Sequence, residues 1–216
     1  MSIKSIEILK NLASTSLASY VTIDKDNLKL SLTSSKLGGD FTDTQANNFI
    51  ANYKFIHQLP NTDSGFSATI FQDQTTGKKV LAIRGTEFTF SGAYADLIQT
   101  DFLDIGPSGY ADNQSVDLYR YWKQLITPAG EPVEYTTDEL VRLYALENGP
   151  IDSFSPSSIV GSLAFTAFRS LFDQPAMGLG LIDADEQVDV TGHSLGGHLA
   201  YVFDRLFPEY TDQVVT

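Results

Sequence analysis

The sequence predicts an α/β fold, a mainly parallel sheet with flanking helices. Three observations carry this. The run Val188-Asp189-Val190-Thr191 has strand composition, and Gly192-His193-Ser194-Leu195-Gly196 leads from it straight into a helical pattern. Two further β-rich segments, 66–71 and 79–83, flank a turn at Thr76-Gly77 and read as a hairpin. Helical periodicities recur between and around these runs.

Composition limits the function. At 216 residues with 42% hydrophobic content, one domain with a sizeable core is expected. A formal charge of -13 repels a phosphate backbone, so nucleic acid is excluded as a partner. The chain has no cysteine, which excludes disulfides, thiolate catalysis and cysteine-ligated zinc. Its histidines are His57, His193 and His198, too few for a histidine-rich metal site. No run approaches the ~18 apolar residues of a membrane span.

Taken in order, residues 1–20 place Ile3, Ile6, Leu9, Leu12, Ala13 and Leu17 on one helical face, an amphipathic helix rather than a signal peptide. A soluble protein is expected, with export by a route needing no N-terminal signal left open. Leu28, Leu30 and Leu32 alternate with polar residues, which predicts a strand ending at Gly38-Gly39. Thr42 and Gln45 form a capping box ahead of Ala46, Phe49, Ile50, Tyr53 and Ile56, which predicts one helix up to Pro60 with His57 near its end.

Beyond the hairpin, residues 87–105 are rich in aromatic and aliphatic side chains without a clean period. A helix is predicted over 113–126, with Leu118, Tyr121, Trp122 and Leu125 on one side. Residues 127–181 read as an insertion over the sheet. It comprises a Pro- and Gly-rich opening, a helix capped by Thr136 and Glu139 and stopped at Gly149-Pro150, an apolar helix over 157–172, and an apolar loop over 177–181. The strand over 187–191 and its helix follow, the latter stopping before Pro208, and 213–216 has strand composition.

The Gly-x-Ser-x-Gly run carries the chemistry. A serine hydroxyl becomes a nucleophile only when a base takes its proton and the side chain projects clear of the sheet. A sharp strand-to-helix turn supplies that projection, and Gly192 and Gly196 leave room for the two elements to approach. Thr191-Gly192-His193-Ser194-Leu195-Gly196-Gly197 resembles the nucleophile elbow of the class 3 lipases and related bacterial secreted lipases of the α/β-hydrolase fold. Ile83-Arg84-Gly85-Thr86 is similar to the oxyanion-hole strand end of that family, and the two motifs follow in the family's order.

The resemblance implies Ser194 as nucleophile, with the amide of Leu195 and the amide or hydroxyl of Thr86 as oxyanion donors. It implies hydrolysis of carboxylic esters of lipids at a lipid-water interface through an acyl-serine. It requires no cofactor, although calcium is admitted because Asp96, Asp101 and Asp104 cluster in sequence; solvated loop charge is the simpler role for them. Secretion is implied only by the same resemblance, with the cytoplasm as the alternative. Phospholipase A or short-chain esterase activity would use the same chemistry. Either 88–105 or 159–181 would serve as a lid, with simple core packing as the competing role.

The pattern also departs from the family. The triad order in this fold is serine, acid, histidine, yet no histidine follows His198, and the later acids are Asp204, Glu209 and Asp212. His193 and His198 lie too close in sequence to Ser194 to bring a ring nitrogen onto its hydroxyl in the usual way. The chain therefore reads as a single, incomplete α/β-hydrolase domain over 1–216 with 127–181 as its cap, the N-terminal part of a longer lipase. A second polypeptide could supply the rest. A remnant that binds lipid or protein without catalysis is the alternative.

Overall fold

The computed structural model describes residues 3–85, 110–148 and 159–216. The segments 87–105, with Asp96, Asp101 and Asp104, and Gly149-Pro150 fall outside them. The chain divides into two compact units, one formed by Met1–Thr89 and Asp185–Thr216, the other by Phe90–Ala184.

The first unit is organised by a five-stranded sheet in the order β1-β2-β3-β4-β5: β1 (Tyr53–Leu59), β2 (Ala68–Asp73), β3 (Lys79–Ile83), β4 (Val188–Gly192) and β5 (Thr211–Val215). The first three strands pair antiparallel, and β4 joins β3 and β5 in parallel. The α/β expectation holds, but the sheet is mixed rather than mainly parallel. The β2-β3 connection explains this: Gly77 adopts φ 76° and the Asp73 carboxylate accepts from the amides of Thr75 and Thr76, both at 2.8 Å, so the chain reverses at once. No crossover helix intervenes, so those strands cannot run parallel.

Both faces of the sheet are covered. Alternation puts Phe71, Val80, Ala82 and Thr191 on one side, and Ile70, Leu81, Ile83 and Val190 on the other, and all eight are buried. Every residue of β4 is buried, as expected of a strand between two neighbours and two layers. Helix α1 (Ile3–Ala18) and helix α3 (Asp43–Asn52) contribute Leu12, Ala18, Ala46 and Phe49 to the core that takes in Phe71, Val80 and Ala82.

Three local expectations change in this unit. The stretch 28–33 is a short helix, α2 (Leu28–Thr33), because Asn27 caps it by accepting from the Leu30 amide at 3.2 Å. Leu28, Leu30 and Leu32 suit period two, but six residues also make one helical stripe: Leu32 is buried and Leu30 points outward. The capping box of Thr42 and Gln45 does start α3, yet the helix ends at Asn52 and the chain becomes β1, so His57 lies on a strand. Pairing of Tyr53–Leu59 with β2, through a bulge between Phe55 and His57, overrides the helical spacing of Phe49, Tyr53 and Ile56. The third change is the face of α1. Leu12, Thr15, Ser16 and Ser19 are buried, whereas Ile6, Leu9 and Leu17 of the predicted apolar stripe are exposed.

Two of the three small polar residues on that buried face have their hydroxyls satisfied locally, while the buried Ser16 hydroxyl has no hydrogen-bond partner among the described residues. Thr15 donates to the Leu12 carbonyl at 2.8 Å and Ser19 to the Ser16 carbonyl at 2.7 Å, which removes most of the penalty of burying them. Their size lets the helix backbone come close enough for the Thr191 hydroxyl to reach the Leu12 carbonyl at 3.3 Å.

The second unit contains α4 (Tyr110–Ile126), α5 (Thr137–Asn148) and α6 (Leu163–Ser170). Helix α4 buries Leu118, Tyr121, Trp122 and Leu125, the predicted face. Thr136 and Glu139 form the predicted capping box, with the Thr136 amide donating at 2.7 Å and the Glu139 amide at 3.2 Å. The apolar helix is shorter than expected, since Ser162 caps it through the Phe165 amide at 3.1 Å. Its Phe165 and Phe168 pack edge-on against Tyr144 of α5 at 5.7 and 5.4 Å. The Pro- and Gly-rich opening and the apolar loop pair with each other, Gly130 donating to Gly178 at 3.0 Å and Val133 to Ala176 at 2.9 Å. Among the described residues no helix is long and apolar enough to cross a membrane.

Candidate active site

Ser194 stands between the end of β4 and the start of α7 (Leu195–Leu206) with φ 58° and ψ -125°. It is the one non-glycine residue with positive φ among the described residues. A side chain at such a backbone costs of order 1–3 kcal/mol and persists only where the surroundings over-determine it.

The surroundings do so through close backbone contact. A methyl group at Gly192 would collide with the Gly196 carbonyl, and one at Gly196 with the Ile83 carbonyl while standing 2.9 Å from the Gly85 amide. Strand β4, the first turn of α7 and the end of β3 therefore touch backbone to backbone, which any Cβ would prevent. Gly196 donates to the His193 carbonyl at 3.0 Å, and Gly197 and His198 donate to the Ser194 carbonyl at 2.9 and 3.1 Å. The turn is closed by its own hydrogen bonds, and the serine side chain is exposed at its tip.

Two groups at this tip have polar capacity to spare. Among the described residues, the Ser194 hydroxyl and the Leu195 amide make no hydrogen bond. The Leu195 amide belongs to the first turn of a twelve-residue helix, where the helix dipole favours negative charge. An oxyanion placed there would meet a fixed donor. Thr86, the other expected donor, lies outside the described residues; β3 is followed as far as Arg84 and Gly85. Arg84 is buried, its backbone N–H donates a hydrogen bond to the Ser67 carbonyl at 3.0 Å, and its guanidinium donates to Asn61.

The histidines do not complete a triad within the described residues. His57 pairs with Ile70, Ile70 with Leu81, and Leu81 with Val190, so His57 is three strands from β4, about 14 Å at ~4.8 Å per strand. Ser194 lies further along the chain direction still. Burial lowers the pKa of His57, so its ring is neutral at pH 7. His193 and His198 are both exposed, and among the described residues neither imidazole ring bonds to the Ser194 hydroxyl. Of the acids after the elbow, Asp212 is held by Lys78, which also pairs with Asp189 at 3.2 Å near the start of β4. Among the described residues no group of three or more His, Asp or Glu could hold a metal ion.

Sequence reading missed Tyr20. A methyl group at Gly85 would stand 2.6 Å from the Tyr20 hydroxyl and would strike the His193 carbonyl. No motif marks Tyr20, since only the turn after α1 brings it to the elbow.

No family model matches the chain, and no curated protein matches it in sequence. Among solved structures it is similar to the lipase from Rhizopus microsporus var. chinensis (14% identity, 99% of this chain, TM-score 0.41). It is likewise similar to the Lip2 lipase from Yarrowia lipolytica (16%, 100%, 0.42) and to lipase II from Rhizopus niveus (13%, 97%, 0.39). The chain spans 57, 60 and 57% of the length of these three proteins.

Proposed function

We propose that this chain carries the nucleophile half of a serine hydrolase acting on carboxylic esters of lipids. The observation that supports this most is the backbone of Ser194, strained at φ 58° and packed in place by glycines so that an exposed hydroxyl stands at the N-terminus of α7. A merely structural turn would favour glycine at such a φ.

In this reading the Ser194 Oγ attacks the ester carbonyl carbon and loses its proton to a base. The carbonyl π electrons move onto oxygen, and the oxyanion is held by the Leu195 amide and by Thr86. Collapse expels the alcohol, which takes up the proton, and leaves an acyl-serine that water hydrolyses. The base comes from outside the three histidines at their described positions, including from a second polypeptide. Lipid as the substrate class is supported by the second unit, where Leu163, Leu171 and Met177 are 90, 61 and 54% exposed around α6. Exposed apolar side chains of this kind suit contact with lipid, and phospholipids or short-chain esters would be processed by the same steps.

Reaction with a fluorophosphonate tests the reading. Covalent labelling of the wild-type chain, abolished in Ser194→Ala, is expected; an unlabelled wild-type serine under conditions where the chain is folded would overturn it. That result would favour the second reading, a lipid-binding remnant, which the position of the three histidines supports.

A further inference from the structure

The end of β3 and the elbow meet across a seam with almost no side chain in it. Gly85 faces the His193 carbonyl and, at 3.3 Å from its would-be Cβ, the Gly196 amide; Gly196 in turn faces Ile83 and Gly85. Main-chain surfaces of the strand end and of the turn bearing Ser194 meet directly there. A side-chain group that borders this seam is the Tyr20 hydroxyl, 2.6 Å from a would-be Gly85 Cβ.

The turn that delivers Tyr20 is fixed from several directions. Ahead of it, Ser19 donates through its amide to the Thr15 carbonyl at 3.0 Å and through its hydroxyl to the Ser16 carbonyl at 2.7 Å. Behind it, Gln58 of β1 donates to the Val21 carbonyl at 2.7 Å and accepts from the Ile23 amide at 3.0 Å. Beside it, Gly38 sits at φ 80° with its would-be Cβ 2.7 Å from the Tyr20 carbonyl, so only glycine fits there. The helix leading into the turn is tied to β4 by the Thr191 to Leu12 bond, three positions before Ser194. Val21 is buried and Tyr20 half-buried, so the backbone is held while the ring reaches the elbow.

We infer that Tyr20 is a positioning residue for the ester chemistry of Ser194, its hydroxyl bracing the Gly85 backbone against the turn that carries Ser194 and the Leu195 amide. This rests on the reading of Ser194 as nucleophile. An oxyanion forms only in the transition state, so a positioning hydroxyl acts on kcat and leaves KM alone.

The test is Tyr20→Phe, which keeps the ring and removes the oxygen. Steady-state hydrolysis of p-nitrophenyl butyrate is measured on the wild type, Tyr20→Phe and Ser194→Ala, with melting temperature as the check on folding. The expected result is a fall in kcat of about tenfold with KM within about twofold. Fluorophosphonate labelling should slow by a similar factor. An unchanged kcat overturns the inference while leaving the nucleophile reading standing, as does a rise in KM alone. So does a kcat loss that matches a loss of folded protein, which Tyr20→Trp and Tyr20→Leu would then reproduce. Wild-type turnover that survives Ser194→Ala, or a folded wild type that neither turns over nor takes the fluorophosphonate label, overturns both.

Discussion

The Thr191 hydroxyl donates to the Leu12 carbonyl, so the first helix of the chain is bonded to the strand that ends in the elbow, 179 residues later. Both groups are buried. The bond is available only because Thr15, Ser16 and Ser19 form a thin helical face against the sheet. Thr191→Val should therefore lower stability by about 1 kcal/mol, the net worth of one buried hydrogen bond. Urea denaturation would read this as a lower midpoint at unchanged slope, and no change in the midpoint would show that the bond contributes nothing.

Gly196→Ala is expected to be far more damaging. The new methyl meets the Ile83 carbonyl and the Gly85 amide, which are backbone and cannot rotate away. A loss of roughly 1–3 kcal/mol is expected from such overpacking, together with loss of fluorophosphonate labelling at Ser194. Full labelling in a stably folded variant would contradict the seam described here.

His57 should be dispensable for any Ser194 chemistry. It stands three strands from β4, and its lowered pKa arises from burial within the sheet edge rather than from a catalytic neighbour. His57→Gln is expected to leave Ser194-dependent turnover within about twofold once folded protein is counted. A loss of two orders of magnitude would place His57 in the reaction.

Glu139 predicts an acid-labile second unit. Burial alone would raise its pKa, but bonds from Lys123 at 2.8 Å, the Thr136 amide at 2.7 Å and Tyr119 at 2.9 Å outweigh that and hold it at about 2. A carboxyl whose folded pKa is depressed stabilises the folded state fully above its unfolded value, 4.5, and loses that contribution as pH falls toward 2. Glu139→Gln should lower stability at pH 7 and flatten its pH dependence between these limits. Parallel pH curves for the variant and the wild type would refute the assignment.

Leu163→Ser with Leu171→Ser tests the lipid contact. Both side chains are mostly exposed, so folding should be little affected, while adsorption to a triacylglycerol emulsion should fall about a hundredfold or more as ~1.5–3 kcal/mol per large apolar side chain is withdrawn from the lipid. Undiminished adsorption would leave these two side chains without this role.

The parts legible in sequence were those set by local chemistry. Thr42 with Gln45 and Thr136 with Glu139 announced helix starts because a capping box closes within one turn. Thr76-Gly77 announced the hairpin, and the glycines around Ser194 announced the sharp turn, because short-range sterics decide both. Where two periods fit the same residues, local pattern failed. Tyr53–Leu59 became a strand only because β2 offered it hydrogen bonds, and 28–33 became a helix through its Asn27 cap.

Tertiary structure decided the remainder. The apolar stripe of Ile6, Leu9 and Leu17 suggested one face of α1, but the sheet took the smaller Thr15, Ser16 and Ser19 face, since close approach to β4 gains the bond to Thr191. Tyr20 carries no motif and gains its place beside Gly85 only when the N-terminal turn folds onto the elbow. The sequence by itself determined that a serine would stand at a strained strand-to-helix turn, because that depends on residues adjacent in the chain. Which distant groups surround the turn depends on contacts between segments far apart in sequence, and these exist only in the folded chain.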